Sequence, residues 1–509
     1  MRRTLIALGL TLAVSTGSAL AQTYGAVMTG SQEGPAPTST PGIGNATVSF
    51  TDSTHTNINV TITVANLGSP INNFHIHELT AGSTTGPVVI NLIGLGGVFT
   101  AGKMTGTFPV AADVATRLIA HPENFYVNVH TVQFPGGAIR GFLTAVSGTV
   151  VSYAADLRGS NEVPPNSSTA FGSALVNIDT TTKIMTFEVA TSGIASPTLS
   201  HIHGPNGQAG VNAGVLINFA TSAAQIPNGR AKGTVDLTSM SQANFDALLA
   251  TPQNFYVNVH STAFGGGEIR GQLGPAKEVD VAVAGAVGTF ITDVRVFNPS
   301  FDTTLNGLVE YFPAGTSANT NASQAIPVNV PPRGTGVLNN VTGSASLLNA
   351  GSGIGAIRFS SVSTANVTSK IYSDQRSGGK GTFGQFLAGV PRGNALRRGV
   401  LPQLENDADF RTNVGFFNPN SAAVTVRLEL RDQSSNVVAS SVQTFQALSH
   451  QQSSIGSYFP GVDLTSRANL TLSFDASAPI DVYAAVNDNV STDSFVVPAQ
   501  EDSGTAANQ

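Results

Sequence analysis

Strict alternation of apolar and polar residues is the main pattern along this chain. In Asn57-Ile-Asn-Val-Thr-Ile-Thr-Val64, the residues Ile58, Val60, Ile62 and Val64 share one face, and Asn and Thr share the other. That is the period of a strand with one face buried, and its β-branched side chains suit a pleated surface. Val424-Thr-Val-Arg-Leu-Glu-Leu430 and Leu470-Thr-Leu-Ser-Phe474 alternate in the same way. Helical spacing is confined to two short stretches. In residues 241–250, Phe245, Leu248 and Leu249 fall at i, i+3 and i+4, and Pro252 ends the run; residues 111–120 are the counterpart. The pattern predicts an all-β chain of tandem antiparallel β-sandwich modules, with one short helix in each of the first two.

The modules are repeats. Tyr24-Gly-Ala-Val-Met-Thr-Gly-Ser-Gln-Glu33 returns as Tyr153-Ala-Ala-Asp-Leu-Arg-Gly-Ser-Asn-Glu162. Pro122-Glu-Asn-Phe-Tyr-Val-Asn-Val-His-Thr131 returns as Pro252-Gln-Asn-Phe-Tyr-Val-Asn-Val-His-Ser261. A fainter duplication follows, Phe290-Ile-Thr-Asp-Val-Arg-Val-Phe-Asn-Pro299 against Phe410-Arg-Thr-Asn-Val-Gly-Phe-Phe-Asn-Pro419. The expected organisation is a leader over residues 1–21, modules at 22–148 and 149–276, and two further β-sandwich repeats at 277–395 and 396–509, the last with a polar tail. Linkers are expected near 274–286 and 376–402. A cut near Lys277 should then release two separately folding halves.

Six of the nine histidines fall into two equivalent triplets: His75, His77 and His130, then His201, His203 and His260. His-x-His on a strand points both rings to one face. Tyr126, Asn128 and His130 likewise share the face opposite Phe125, Val127 and Val129. If the apolar face is the core, each trio lies on the outer face of its sheet, where neighbouring strands bring the rings together. Three neutral imidazoles suit Cu²⁺ or Zn²⁺ and leave a coordination position open, whereas Ca²⁺ prefers oxygen ligands. Copper is the first choice, zinc the second. Binding is expected to weaken as pH falls through about 6.5. A structural hydrogen-bonding role for the cluster is the competing reading. His55, His121 and His450 lack duplicated partners and are assigned no role. Arg140 and Arg270 are expected to pair with Glu33 and Glu162 or to cap the sheet edge. Gly137 and Gly267 are expected in hairpin turns at positive φ.

Composition removes several classes of function. Cysteine is absent, which excludes disulfides, thiolate metal sites and thiol catalysis. Thirty acidic residues against 24 basic ones give a net charge of −6, which argues against nucleic acid as a partner. Neither a G-x-S-x-G elbow, H-E-x-x-H nor a P-loop occurs. Met1-Arg2-Arg3, an apolar run from Leu5 to Val14, and Ala19-Leu-Ala21 have the form of a secretory signal cut before Gln22. The apolar run is shorter than the ~20 residues a membrane span requires, and no later segment is long enough. An exported protein without a membrane span is therefore expected, secreted, periplasmic or extracellular.

The two modules resemble the CHRD (chordin) domain. The resemblance rests on Gly-Ser-Asn-Glu-Val-Pro-Pro (159–165), His-Ile-His-Gly-Pro (201–205), and Tyr-Val-Asn-Val-His followed by Gly-Gly-Glu-Ile-Arg-Gly-Gln-Leu (256–273). The first copy departs at Gln32, Gly34, Glu78 and Ala138. The resemblance implies an extracellular protein. In animal chordins the domain sits in secreted antagonists of bone morphogenetic proteins, and in bacteria it occurs in exported proteins. Phe-His-Ile-His-Glu (74–78) is also similar to the copper-ligand strand of copper/zinc superoxide dismutase, without that enzyme's full ligand set. The reading is a non-enzymatic binding or interaction protein whose partner is an unknown extracellular protein or surface ligand. In this reading each CHRD copy is expected to offer a three-histidine metal site. The alternative is a copper-dependent redox enzyme, or another metal-dependent enzyme, of the cell envelope.

Overall fold

The computed structural model describes residues 23–51, 55–80, 82–100, 102–146, 150–343, 347–379, 381–491 and 493–502. The expected leader, 1–21, lies outside them. The regular structure of the described residues is mostly antiparallel strand, with two α-helices, Ala112–Ala120 and Gln242–Ala250. Ser241 caps the second helix by accepting from the Asn244 N–H.

The first repeat is one antiparallel sheet curled over its own core. Its strands run in the order Val88–Ile90, Ile71–Glu78, Phe125–Thr131, Ile139–Phe142, Thr23–Thr29, Ile43–Phe50, Asn57–Ala65, Lys103–Pro109. The second repeat has the same order, from Val215–Ala220 to Arg230–Asp236. Phe74, Ile76, Val127 and Val129 from one half of the first sheet pack with Val48, Val60 and Ile62 from the other. Ile202, Val257 and Val259 do the same in the second. The expected alternation therefore holds on both sides of the sandwich, and the histidine strands keep their apolar face inward.

Residues 277–391 form a five-stranded sheet and a four-stranded one. The C-terminal region is organised around the 22-residue strand Arg467–Asp488. Its first half pairs with Leu396–Asn406 and Val424–Arg431, its second with Phe410–Asn418 and Ser494–Pro498. The faint duplication has a structural cause. Asn298 and Asn418, each before its proline, are buried and donate to three backbone carbonyls: Thr303, Val330 and Pro331 for one, Ala422, Phe445 and Gln446 for the other. Thr292 and Thr412 each clamp a neighbouring strand by exchanging two hydrogen bonds with one residue, Gly285 and Glu405. A buried amide must satisfy its donors, so these positions retain their residue type.

Both expected linkers are corrected. Lys277–Ala286 is a strand with Val279, Val281 and Ala284 buried, and most of 376–402 is strand, including Thr382–Ala388 and the start of Leu396–Asn406. Glycine and alanine there reflect close packing. Nor do the two halves stand apart. Leu175 and Ala190 pack on Leu308 and Ala325, and Arg230, paired with Glu188, donates to the Ala322 and Ser323 carbonyls at 2.9 Å. A cut at Lys277 would expose this interface.

Candidate metal centre

In each repeat the three histidines meet on the outer face of the sheet. The register sets His75 opposite Asn128 and His77 opposite Tyr126, with His130 one step along, opposite Asn73. The second copy repeats this with His201–Asn258, His203–Tyr256 and Leu199–His260. In both trios the candidate ligand nitrogens all lie within 4.8 Å of one another. Ring centroids are 5.4, 5.1 and 6.3 Å apart in the first trio and 5.6, 5.0 and 6.2 Å in the second. The expectation that the side chains sit off the core holds. They are not exposed, however: His201, His203 and His260 are only 7–8 % accessible. Loops fold over them, which strand periodicity does not report.

Those loops also orient the rings. His77 Nδ1 meets the Gly86 carbonyl at 3.0 Å, and His130 Nδ1 meets the Pro135 carbonyl at 3.0 Å. In the second copy His203 Nδ1 meets Ala213 O at 2.9 Å and His260 Nδ1 meets Gly265 O at 3.0 Å. A ring nitrogen facing a carbonyl must carry the proton, so the Nε2 lone pair is left free. His77 Nε2, His130 Nε2 and His75 Nδ1 are buried without a hydrogen-bond partner, as is His203 Nε2. His201 Nδ1 faces His260 Nε2 at 3.2 Å. The first trio thus leaves three buried nitrogens without partners, a donor set for a borderline metal ion, whereas in the second His203 Nε2 is unpartnered and His201 Nδ1 donates to His260 Nε2. Burial, and then the neighbouring rings, push His75 and His201 down to about 4 and lower His77 and His203. Those four rings are thus held neutral, as ligation requires.

A stack supports one ligand in each trio. Tyr126 lies on His77 at 4.8 Å and 7°, and Tyr256 on His203 at 4.8 Å and 3°. Arg140 and Arg270 cover the outer faces of these tyrosines at 4.8 and 3.9 Å. Arg140 donates to the Gln32 and Thr84 carbonyls, and Arg270 to Asn212 Oδ1 and the Val211 carbonyl. Among the described residues neither forms the ion pair expected with Glu33 or Glu162; both tie loops to the sheet instead. Alternation placed Tyr126 and Asn128 on the histidine face, but the stack depends on loop closure.

Glu33 and Glu162 are buried beside this layer. Asn128 Nδ2 donates to Glu33 at 3.3 Å and Asn258 Nδ2 to Glu162 at 3.5 Å. Gly137 and Gly267, at φ 133° and 129°, cross directly above. A Cβ there would come within 2.6 Å of Glu33 and 2.7 Å of Glu162, so both turns require glycine. Burial raises both carboxyls to about 7, against the lowering effect of Arg140 or Arg270. For an acid raised in the fold, the folded chain holds its proton while the unfolded chain has lost it, so stability falls as pH rises from about 4.5 to 7. Glu162→Gln keeps the shape and removes the charge. It is expected to stabilise by about 1 kcal/mol at pH 8, after discounting for partial solvent screening, and to have almost no effect at pH 4.5. Thermal melts of both proteins at the two pH values check this; equal gains at both would exclude a charge effect.

The family model of the CHRD domain matches residues 24–143 and 153–273. The chain contains two tandem CHRD domains. Each histidine trio, its stacked tyrosine and its buried glutamate lie inside one of them. The departures of the first CHRD domain do not alter the site: Glu78 stands where the second has Gly204, yet His77 keeps its carbonyl partner. No curated protein matches the chain. A solved structure titled "Crystal Structure of Thermotoga maritima 1070" aligns with 22% of this chain and 99% of its own, at 10% identity and a TM-score of 0.19, too low to carry a statement about fold. No helix among the described residues is long and apolar enough to cross a membrane.

Proposed function

We propose that this is an exported, non-enzymatic binding protein whose two CHRD domains each hold one divalent metal ion through three histidines. Copper is the first choice and zinc the second. The proposed organisation is a leader at 1–21 followed by modules at 22–148, 149–276, 277–395 and 396–509. The observation that carries the metal reading is the double occurrence of one arrangement: three buried rings, two of them held by backbone carbonyls on Nδ1 so that Nε2 points to the others. A purely structural hydrogen-bonding role is less well supported, since His75, His77 and His130 each leave a buried nitrogen unpaired. His75, His77 and His130 would hold one ion, and His201, His203 and His260 the other. Once bound, the metal would supply a Lewis-acidic centre on which a protein or surface ligand could dock. The trios contain no thiolate or thioether, and hard cations are disfavoured by an all-nitrogen set.

Metal analysis of the purified chain, followed by calorimetric titration of the chelator-treated protein with Cu²⁺ and Zn²⁺, tests this. Two ions per chain are expected, with copper held more tightly. Failure to bind either ion at neutral pH would return the trios to a hydrogen-bonding role. The rival reading, a copper redox enzyme, shares the site and separates from this one by turnover of the loaded protein.

A further inference from the structure

Away from the CHRD domains, a cavity of about 440 Å³ lies between the 277–391 sheets and the C-terminal region. Its walls are largely apolar: Ala282, Leu387, Ile480, Val482 and Val496 contribute, with Phe386 exposed at the mouth. Of the polar residues in its lining, Asn394 and Glu501 are exposed and the Tyr483 hydroxyl is bonded to His450 and Gln452, which leaves Asp481. Asp481 is 4 % accessible, and its Oδ2 has no hydrogen-bond partner. A lone buried carboxylate is costly unless a cation or donor meets it.

The neighbouring charges do not supply that cation. Arg358 is taken by Asp280 at 2.8 Å and Glu278 at 3.5 Å, and Arg392 by Glu278 at 3.4 Å. Glu310 is buried in the same cluster and is raised to about 8 by burial. Asp481 borders the cavity, and burial, then the nearby Asp280, raise its carboxyl well above the usual carboxylate range, against the lowering effect of Arg358 and Arg392. The size falls in the range of small-molecule sites, and apolar walls with one well-placed polar group are the usual lining of such sites.

We propose that this cavity binds a small hydrophobic ammonium compound, its apolar body against the aliphatic walls and its charged nitrogen on Asp481. The ammonium would give the buried, unpartnered Asp481 Oδ2 a charged donor in place of the proton, and Phe386 offers a ring face on the way in. An anionic amphiphile of the same shape would meet the acidic side chains Asp481 and Glu501 and be rejected. The inference is independent of the metal reading, since no histidine of either trio lines the cavity.

The test is calorimetric titration of the full chain, freed of metal with chelator, with 4-phenylbutylamine, 4-phenylbutanol and 4-phenylbutanoate. The amine is expected to bind with one equivalent per chain, at least about tenfold more tightly than the acid. Asp481→Asn, which keeps the shape, should weaken the amine by about tenfold and leave the alcohol within about twofold. Ala388→Phe, at an exposed rim position, should block all three. Equal affinity of the amine for the parent and Asp481→Asn would overturn the proposal, as would no amine binding at millimolar concentration. If Asp481→Asn does not fold, Ala388→Phe decides: amine binding undiminished by that variant excludes the cavity.

Discussion

His203→Ala is expected to halve the metal bound per chain and to leave the first CHRD domain's site unchanged. His203 supplies one of only three nitrogens in its trio, and two imidazoles cannot replace the lost ligand. The loss is not confined to ligation: the ring also stacks on Tyr256 and bonds the Ala213 carbonyl. A stability cost of about 1 kcal/mol should accompany it. Val259→Ala provides the contrast. Val259 is fully buried on the opposite face of the adjoining strand, so this change should cost about 1–3 kcal/mol through lost packing yet leave metal stoichiometry at two. Stoichiometry by titration and unfolding midpoints by circular dichroism separate the two effects. An unchanged two-metal stoichiometry in His203→Ala would remove this residue from the site.

The pH dependence of the same measurement has a definite sign. Depressed folded-state values mean that the folded chain resists protonation, so the contribution of these rings to stability is complete above about 6.5 and lost as pH falls toward 4. Proton competition with the metal should therefore set in below the ordinary histidine range, and not through 6.5 as an exposed trio would show. Half-release of metal above pH 6.5 would indicate that the rings are not buried as described.

Arg358→Met is expected to destabilise the C-terminal half by about 3–5 kcal/mol at pH 7.5. Arg358 is 3 % accessible in its side chain and pairs with Asp280, which is fully buried, and with Glu278. It also donates to the Pro419 carbonyl at 3.2 Å and so ties the two C-terminal regions together. Methionine preserves length and apolar contact but leaves the carboxylates without their main counter-charge. Those acids can take up protons, so the loss should be smaller at pH 5. Thermal melts of parent and variant at both values measure it. A loss under about 1 kcal/mol at pH 7.5 would mean that solvent, and not Arg358, compensates the acids.

The periodicities, the repeats and the histidine chemistry are properties that sequence alone determined here. Alternation in Asn57–Ala65 assigned its faces correctly, because a side-chain period of two leaves a strand no other way to bury Ile58, Val60 and Ile62. The same rule put His75, His77 and His130 on one face, since alternation and duplication are local and need no knowledge of distant loops. Tertiary structure decided what closes over that face. The carbonyls of Gly86, Pro135, Ala213 and Gly265 have no sequence signal, because every residue carries the same carbonyl and only the loop path selects which one meets a ring. It also decided that Lys277–Ala286 is a buried strand rather than a linker, because small residues mark close sheet packing as readily as flexibility. Arg140 turned from the expected ion pair with Glu33 to backbone carbonyls for the same reason. An arginine's partners are fixed by which loops come within reach of its five N–H donors, and that follows only from the folded chain.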